Sequence, residues 1–89
     1  MISRRTSAFR KAFDNLPPRI QEQARGAFVQ FAQDPQHRSL DFKQVHPSEP
    51  IFSARVSRGY RALAYRRPDR WVWFWIGTHS EYDNLLKRL

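Results

Sequence analysis

His79 lies just past a run of six apolar residues, Trp71-Val-Trp-Phe-Trp-Ile76, that stops at Gly77. Upstream come Arg55, Arg58, Arg61, Arg66, Arg67 and Arg70, with Asp69 the only acid among them. An imidazole titrates near neutrality and can serve as general acid or base. Guanidinium groups offer planar forks to phosphate and stabilise extra charge in a phosphoryl-transfer transition state. The combination suits chemistry or recognition at a phosphate. Each residue also has a plainer reading: His79 as a polar loop residue, and Arg55 and Arg61 as cross-strand surface partners of Glu49 or Asp83. Tyr82 is expected to pack, with a hydroxyl that can reach a sugar or base. Lys43 and Arg58 are candidate phosphate contacts or ordinary solvated charge, and Glu49 is a weak candidate base.

Sixteen Lys and Arg against eight Asp and Glu give a net charge of +8. Such a surplus favours a polyanion or an acidic protein partner. The chain has no cysteine, and His37 and His46 lack ligand spacing, so no metal or other cofactor is expected. The longest apolar run is far short of the ~20 residues a membrane span needs, and no signal-peptide core follows the basic N-terminus. A cytoplasmic protein with no membrane partner is expected.

The elements that must position these residues follow from periodicity. Phe9, Ala12, Phe13 and Leu16 recur at i, i+3, i+4, i+7, which predicts a helix over 7–15 capped by Thr6 or Ser7. Pro17-Pro18 starts a second helix that runs to Gln33, where Asp34-Pro35 stops it. Leu40 to Val45 reads as a weak edge strand. Phe52, Ala54 and Val56 alternate with Ser53, Arg55 and Ser57, and Ser57-Arg58-Gly59 turns the chain into Tyr60–Arg66. Pro68-Asp69 turns it again into the tryptophan strand. Strict alternation there puts Trp71, Trp73 and Trp75 on one face and Val72, Phe74 and Ile76 on the other. Tyr82, Leu85, Leu86 and Leu89 mark a last helix, with Ser80 and Asp83 as a capping pair. The fold class is α+β: one domain over 1–89, with an N-terminal helical hairpin on a small antiparallel sheet of three or four strands and a C-terminal helix.

Phe52-Ser-Ala-Arg-Val-Ser-Arg-Gly-Tyr-Arg-Ala-Leu-Ala-Tyr65 and Trp73-Phe-Trp-Ile-Gly-Thr-His-Ser-Glu-Tyr82, in this element order, resemble the RelE/ParE superfamily of bacterial toxin–antitoxin toxins. The resemblance spans nearly the whole chain. It implies a toxin that cleaves messenger RNA on the ribosome without a metal. A base takes the 2′-OH proton, the oxygen attacks the adjacent phosphorus, and an acid protonates the departing 5′-oxygen. It also implies a cognate antitoxin partner. Matched position by position, Arg61 corresponds to the family's strand arginine, Arg55 to the basic position on the preceding strand, and His79 to the histidine that some members place at the end of the last strand. Ala54 departs from members with a second basic residue there, and a helix follows His79 in place of a closing His-Tyr pair. ParE-like members share the fold, lack the catalytic set and poison DNA gyrase, which is the alternative.

Overall fold

The computed structural model describes residues 2–89. Its elements are β1 (Ile2–Arg5), α1 (Ser7–Asp14), α2 (Pro18–Gln33), a 3-10 turn (Arg38–Leu40), β2 (Lys43–Gln44), β3 (Ile51–Ser57), β4 (Tyr60–Arg66), β5 (Arg70–Thr78) and α3 (His79–Leu86). The strands form one sheet in the order β1-β5-β4-β3-β2. β2 through β5 are antiparallel neighbours, whereas β1 pairs parallel to β5.

The helices start and stop where the chemistry of their ends requires. Thr6 accepts the Phe9 N–H at 3.1 Å and so satisfies one orphan donor of α1. Pro18 opens α2, where a missing N–H costs nothing. α1 packs on β5 and α2 on β3, so the hairpin is splayed over one face of the sheet. That face carries the larger core: Phe9, Ala24, Phe31, Leu40, Ala54, Val56, Ala62, Ala64, Trp71, Trp73 and Ile76. Fully burying one of the large side chains here contributes about 1.5–3 kcal/mol. α3 covers part of the opposite face, over Ile51, Leu63, Tyr65, Phe74 and Trp75.

Three expectations change. The N-terminal residues, all exposed, form the parallel strand β1, which gives five strands and a mixed sheet. Four exposed positions carry no apolar alternation, so nothing in Ile2–Arg5 signals a strand. The weak edge strand is shorter than expected: Leu40 belongs to the 3-10 turn and the strand is Lys43–Gln44, with the Val45 N–H still donating to the Ile51 carbonyl at 2.9 Å. Asp41, at φ 42, is the reason. A left-handed residue turns the chain out of any strand that would begin at Leu40.

The tryptophans do not share a face. Ala64 pairs with Trp73 but Leu63 pairs with Trp75, so Phe74 is an extra residue in β5. This bulge flips the pleat. Trp71 and Trp73 lie in the helical-side core, while Trp75 joins Leu63 and Tyr82 on the α3 side. The Trp75 ring lies over Gly77, where a Cβ would come within 2.7 Å of it, so glycine is required there.

Candidate active site

α3 begins where β5 ends, and its cap fixes His79 in place. Thr78 accepts the Glu81 N–H while the Glu81 carboxylate accepts the Thr78 N–H at 2.8 Å, a complete capping box. This replaces the expected Ser80–Asp83 pair, because the helix starts at His79 and its third residue is therefore Glu81. The His79 N–H donates to the Gly59 carbonyl at 2.8 Å, which ties the strand end to the β3–β4 turn. Gly59 adopts φ 80 in that turn, a conformation natural for glycine.

The turn and the helix start border a cleft of about 410 Å³. Lys43, Arg55, Arg61, His79 and Tyr82 all line it, together with Asp41, Tyr60 and Asp83. Five of the seven residues singled out from sequence thus converge. Arg58 and Glu49 do not line the cleft. Glu49 is exposed on the loop before β3, its N–H held by His46 Nδ1 at 2.8 Å, and it lies outside the candidate site.

Arg55 and Arg61 are direct cross-strand partners, but they differ sharply in environment. Arg55 is exposed, whereas Arg61 retains only 3% of its accessible surface. The plainer reading of Arg61 as a surface partner of Glu49 or Asp83 is corrected accordingly: it is buried, and its partners are Ser53 and Asp41. Arg61 Nε donates to Ser53 Oγ at 2.7 Å, Nη1 to Asp41 Oδ2 at 3.2 Å and Nη2 to the Asp41 carbonyl at 2.8 Å. Its guanidinium lies 5.2 Å from the Tyr82 ring centroid, a cation–π contact. A buried cation needs such partners, because desolvation alone would be costly. Tyr82 is itself buried and packs with Ile51 and Leu63, in keeping with its packing role.

His79 is exposed, and its Nδ1 lies 3.2 Å from Asp83 Oδ2 one helical turn on. That contact holds Nδ1 and leaves Nε2 as the ring nitrogen available to a substrate. Sequence reasoning gave Asp41 and Ser53 no part in the site and did not connect Asp83 with His79. The i, i+4 spacing of His79 and Asp83 could have revealed the last; nothing local marks the other two. Among the described residues no group of His, Asp or Glu could hold a metal ion, and no helix is long and apolar enough to cross a membrane.

Two carboxylates are held below their ordinary values. Partial burial would raise the Asp41 pKa, but the charges of Lys43 and Arg61 and the hydrogen bonds from both outweigh it and bring it below 3.8. The backbone N–H and hydroxyl of Thr78 bring Glu81 below 4.5. A carboxylate depressed on folding stabilises the native state above its unfolded pKa, and that contribution disappears as pH falls through the folded value. The melting temperature should therefore fall as pH drops below about 4.5 and more steeply below about 3.8. A D41N/E81Q variant should lose less over the same range in a thermal-melt series, and a slope equal to wild type would refute the assignment.

The model of the ParE-like toxin domain matches residues 18–84, which span α2, the four antiparallel strands and most of α3. The chain belongs to this family. It is a toxin of the RelE/ParE superfamily. No curated protein matches the toxin in sequence. Solved structures match it in fold. A chain of the RelB–RelE antitoxin–toxin complex from Methanococcus jannaschii superposes with a TM-score of 0.74 at 12% identity, covering 92% of this chain and 96% of that one. YafQ from E. coli gives 0.72 at 10%, over 90% and 94%. The toxin–antitoxin complex RelBE2 from Mycobacterium tuberculosis gives 0.70 at 26%, over 88% and 96%. The first two establish likeness of fold.

Proposed function

We propose that this toxin is a ribosome-dependent, metal-independent messenger RNA endonuclease. The observation that carries the reading is the convergence of Arg55, Arg61, Lys43 and a carboxylate-held His79 in one open cleft. Arg55 and Lys43 are the exposed cations that meet a phosphodiester first; Arg61 supplies fixed positive charge from below. His79 Nε2 exchanges the proton, either taking it from the 2′-OH or giving it to the departing 5′-oxygen. Attack of the 2′-oxygen forms the new P–O bond as the P–O5′ bond breaks, leaving a 2′,3′-cyclic phosphate and a 5′-OH. The Tyr82 ring is the base of the site, beneath His79 and Arg61, with ring centroids 5.4 Å apart for His79 and Tyr82.

The partner is a cognate antitoxin whose acidic and apolar segment covers this basic surface. A groove of about 690 Å³ between the splayed helices has matching character, floored by Phe9, Phe28 and Trp73 and rimmed by Arg5, Arg10 and Arg25. Trp73 Nε1, buried without a hydrogen-bond partner, lies in a residue of that floor.

Primer extension on cellular transcripts after induction is the decisive measurement. New 5′ ends should appear within translated codons in frame, and only in messages being translated. Intact transcripts under full growth arrest would overturn the reading. Double-strand breaks with an SOS response would instead point to DNA gyrase as the target.

A further inference from the structure

We propose that Asp41 is a built-in competitor for the anion that this cleft takes: its carboxylate stands where a substrate phosphate would sit against Arg61 and Lys43, and substrate enters by displacing it. The inference rests on reading the cleft as a phosphate site, though not on the reaction that follows.

The geometry around Arg61 leads there. Ser53 occupies Nε, and the Tyr82 ring covers a face of the guanidinium. The outer edge, with Nη1 and Nη2, is taken by a single residue, Asp41. The Arg61 side chain is 4% exposed and that of Asp41 42%, so Asp41 lies on the solvent side of the pair. The same Oδ2 atom lies 3.5 Å from Lys43 Nζ. One oxygen anion between a guanidinium and an ammonium is the arrangement a phosphate oxygen would adopt, since carboxylate and phosphate suit the same donors.

Asp41 grips Arg61 twice, and the two grips are separable. The carbonyl accepts Nη2 through backbone geometry, while the carboxylate accepts Nη1 through a side chain free to rotate toward water. If the carboxylate swings out, the carbonyl and Ser53 still hold the guanidinium in register. The backbone at φ 42 and ψ 49 restricts the residue type too. Asp, Asn and Gly tolerate the left-handed region best. Of these only Asp brings a charge: an ordinary aspartate is ionised at neutral pH, and the cations Lys43 and Arg61 lower its pKa further.

The same conformational tolerance provides a clean test. Asp41→Asn and Asp41→Gly both keep the left-handed backbone and its carbonyl contact while removing the charge. Binding of inorganic phosphate and of a 2′-deoxy oligonucleotide, which cannot be cleaved by 2′-OH attack, is measured on the intact protein with the Arg61 Nε resonance as reporter. Both variants should bind both probes about three- to tenfold more tightly than wild type. For the oligonucleotide, the fall of log affinity with log salt should steepen by about 0.7, one more phosphate neutralised. Asp14→Asn, the same charge change on an exposed residue of α1 outside the cleft, should leave affinity unchanged. Unchanged or weaker binding in the Asp41 variants would overturn the inference and make the carboxylate a positioning group for Arg61. Equal tightening in Asp14→Asn would overturn it as well, by reducing the effect to net charge. A wild type that binds but cuts no translated message would defeat the nuclease reading and leave this one standing.

Discussion

Replacing Arg61 by alanine should destabilise the toxin by about 3 kcal/mol before any question of activity arises. Three hydrogen bonds disappear, Ser53 Oγ is left fully buried without its donor, and the Asp41 carboxylate loses one of its two cations. For a chain of this size that corresponds to a fall in melting temperature on the order of 15 °C. Arg61→Lys should recover little of it. A lysine presents one compact ammonium and cannot reach Ser53, Asp41 Oδ2 and the Asp41 carbonyl in the planar fork that arginine provides. Calorimetry on both variants decides the point: an alanine variant melting within a few degrees of wild type would show that the buried network holds nothing together. Loss of toxicity in either variant therefore has to be read beside its melting curve.

This double duty of Arg61 was only half legible in the sequence. Its place on a strand beside Arg55 followed from the period-2 pattern and the Gly59 turn, and the structure pairs the two directly. Its burial did not follow. Asp41, twenty residues earlier in the chain, supplies the charge that makes burial tolerable, and no local pattern links an acid on a 3-10 turn to an arginine two strands away. Ser53 is invisible for the same reason. It reads as a polar outward residue of an alternating strand, yet it is fully buried, with the Arg61 guanidinium donating to its hydroxyl.

The fold shows the same division. α2 was legible to the residue, since prolines at both ends leave the backbone no choice. β3, β4 and β5 were legible from alternation and from Gly59 and Pro68. β1 was not, because a four-residue parallel edge strand with every side chain exposed gains its stability from backbone pairing to β5 alone. The bulge at Phe74 was hidden as well. In a stretch that is apolar on both faces, one inserted residue leaves the hydropathy pattern intact while moving Trp75 to the opposite side from Trp73. That shift brings Trp75 to within 6.5 Å of Tyr82, ring centroid to ring centroid, and so builds the wall against which the cleft is set.

His79→Ala should behave in the opposite way to Arg61→Ala: a large loss of cleavage with the fold intact. The ring is more than half exposed, and its side-chain hydrogen-bond partner is the equally exposed Asp83. The backbone N–H that anchors the helix to Gly59 is unaffected by the substitution, and alanine is a good residue for the first helical position. Stability should change by no more than about 0.5 kcal/mol. If Nε2 moves the proton, the rate should fall by roughly 10²–10⁴-fold, the usual share of a positioned acid or base. Asp83→Asn should cost much less, several-fold at most, because it removes only the group that holds Nδ1 and leaves Nε2 in the cleft. Reconstituted translation reactions, with cleavage followed on a single message, separate these outcomes. Cleavage by His79→Ala at the wild-type rate would remove the histidine from the chemistry and leave the cleft as a binding surface. A loss in Asp83→Asn as deep as in His79→Ala would mean that the two act as one unit, with the carboxylate stabilising the imidazolium and not simply aiming it. The graded pattern is the one expected of an exposed pair, in which the carboxylate's field is screened by water and orientation is its main contribution.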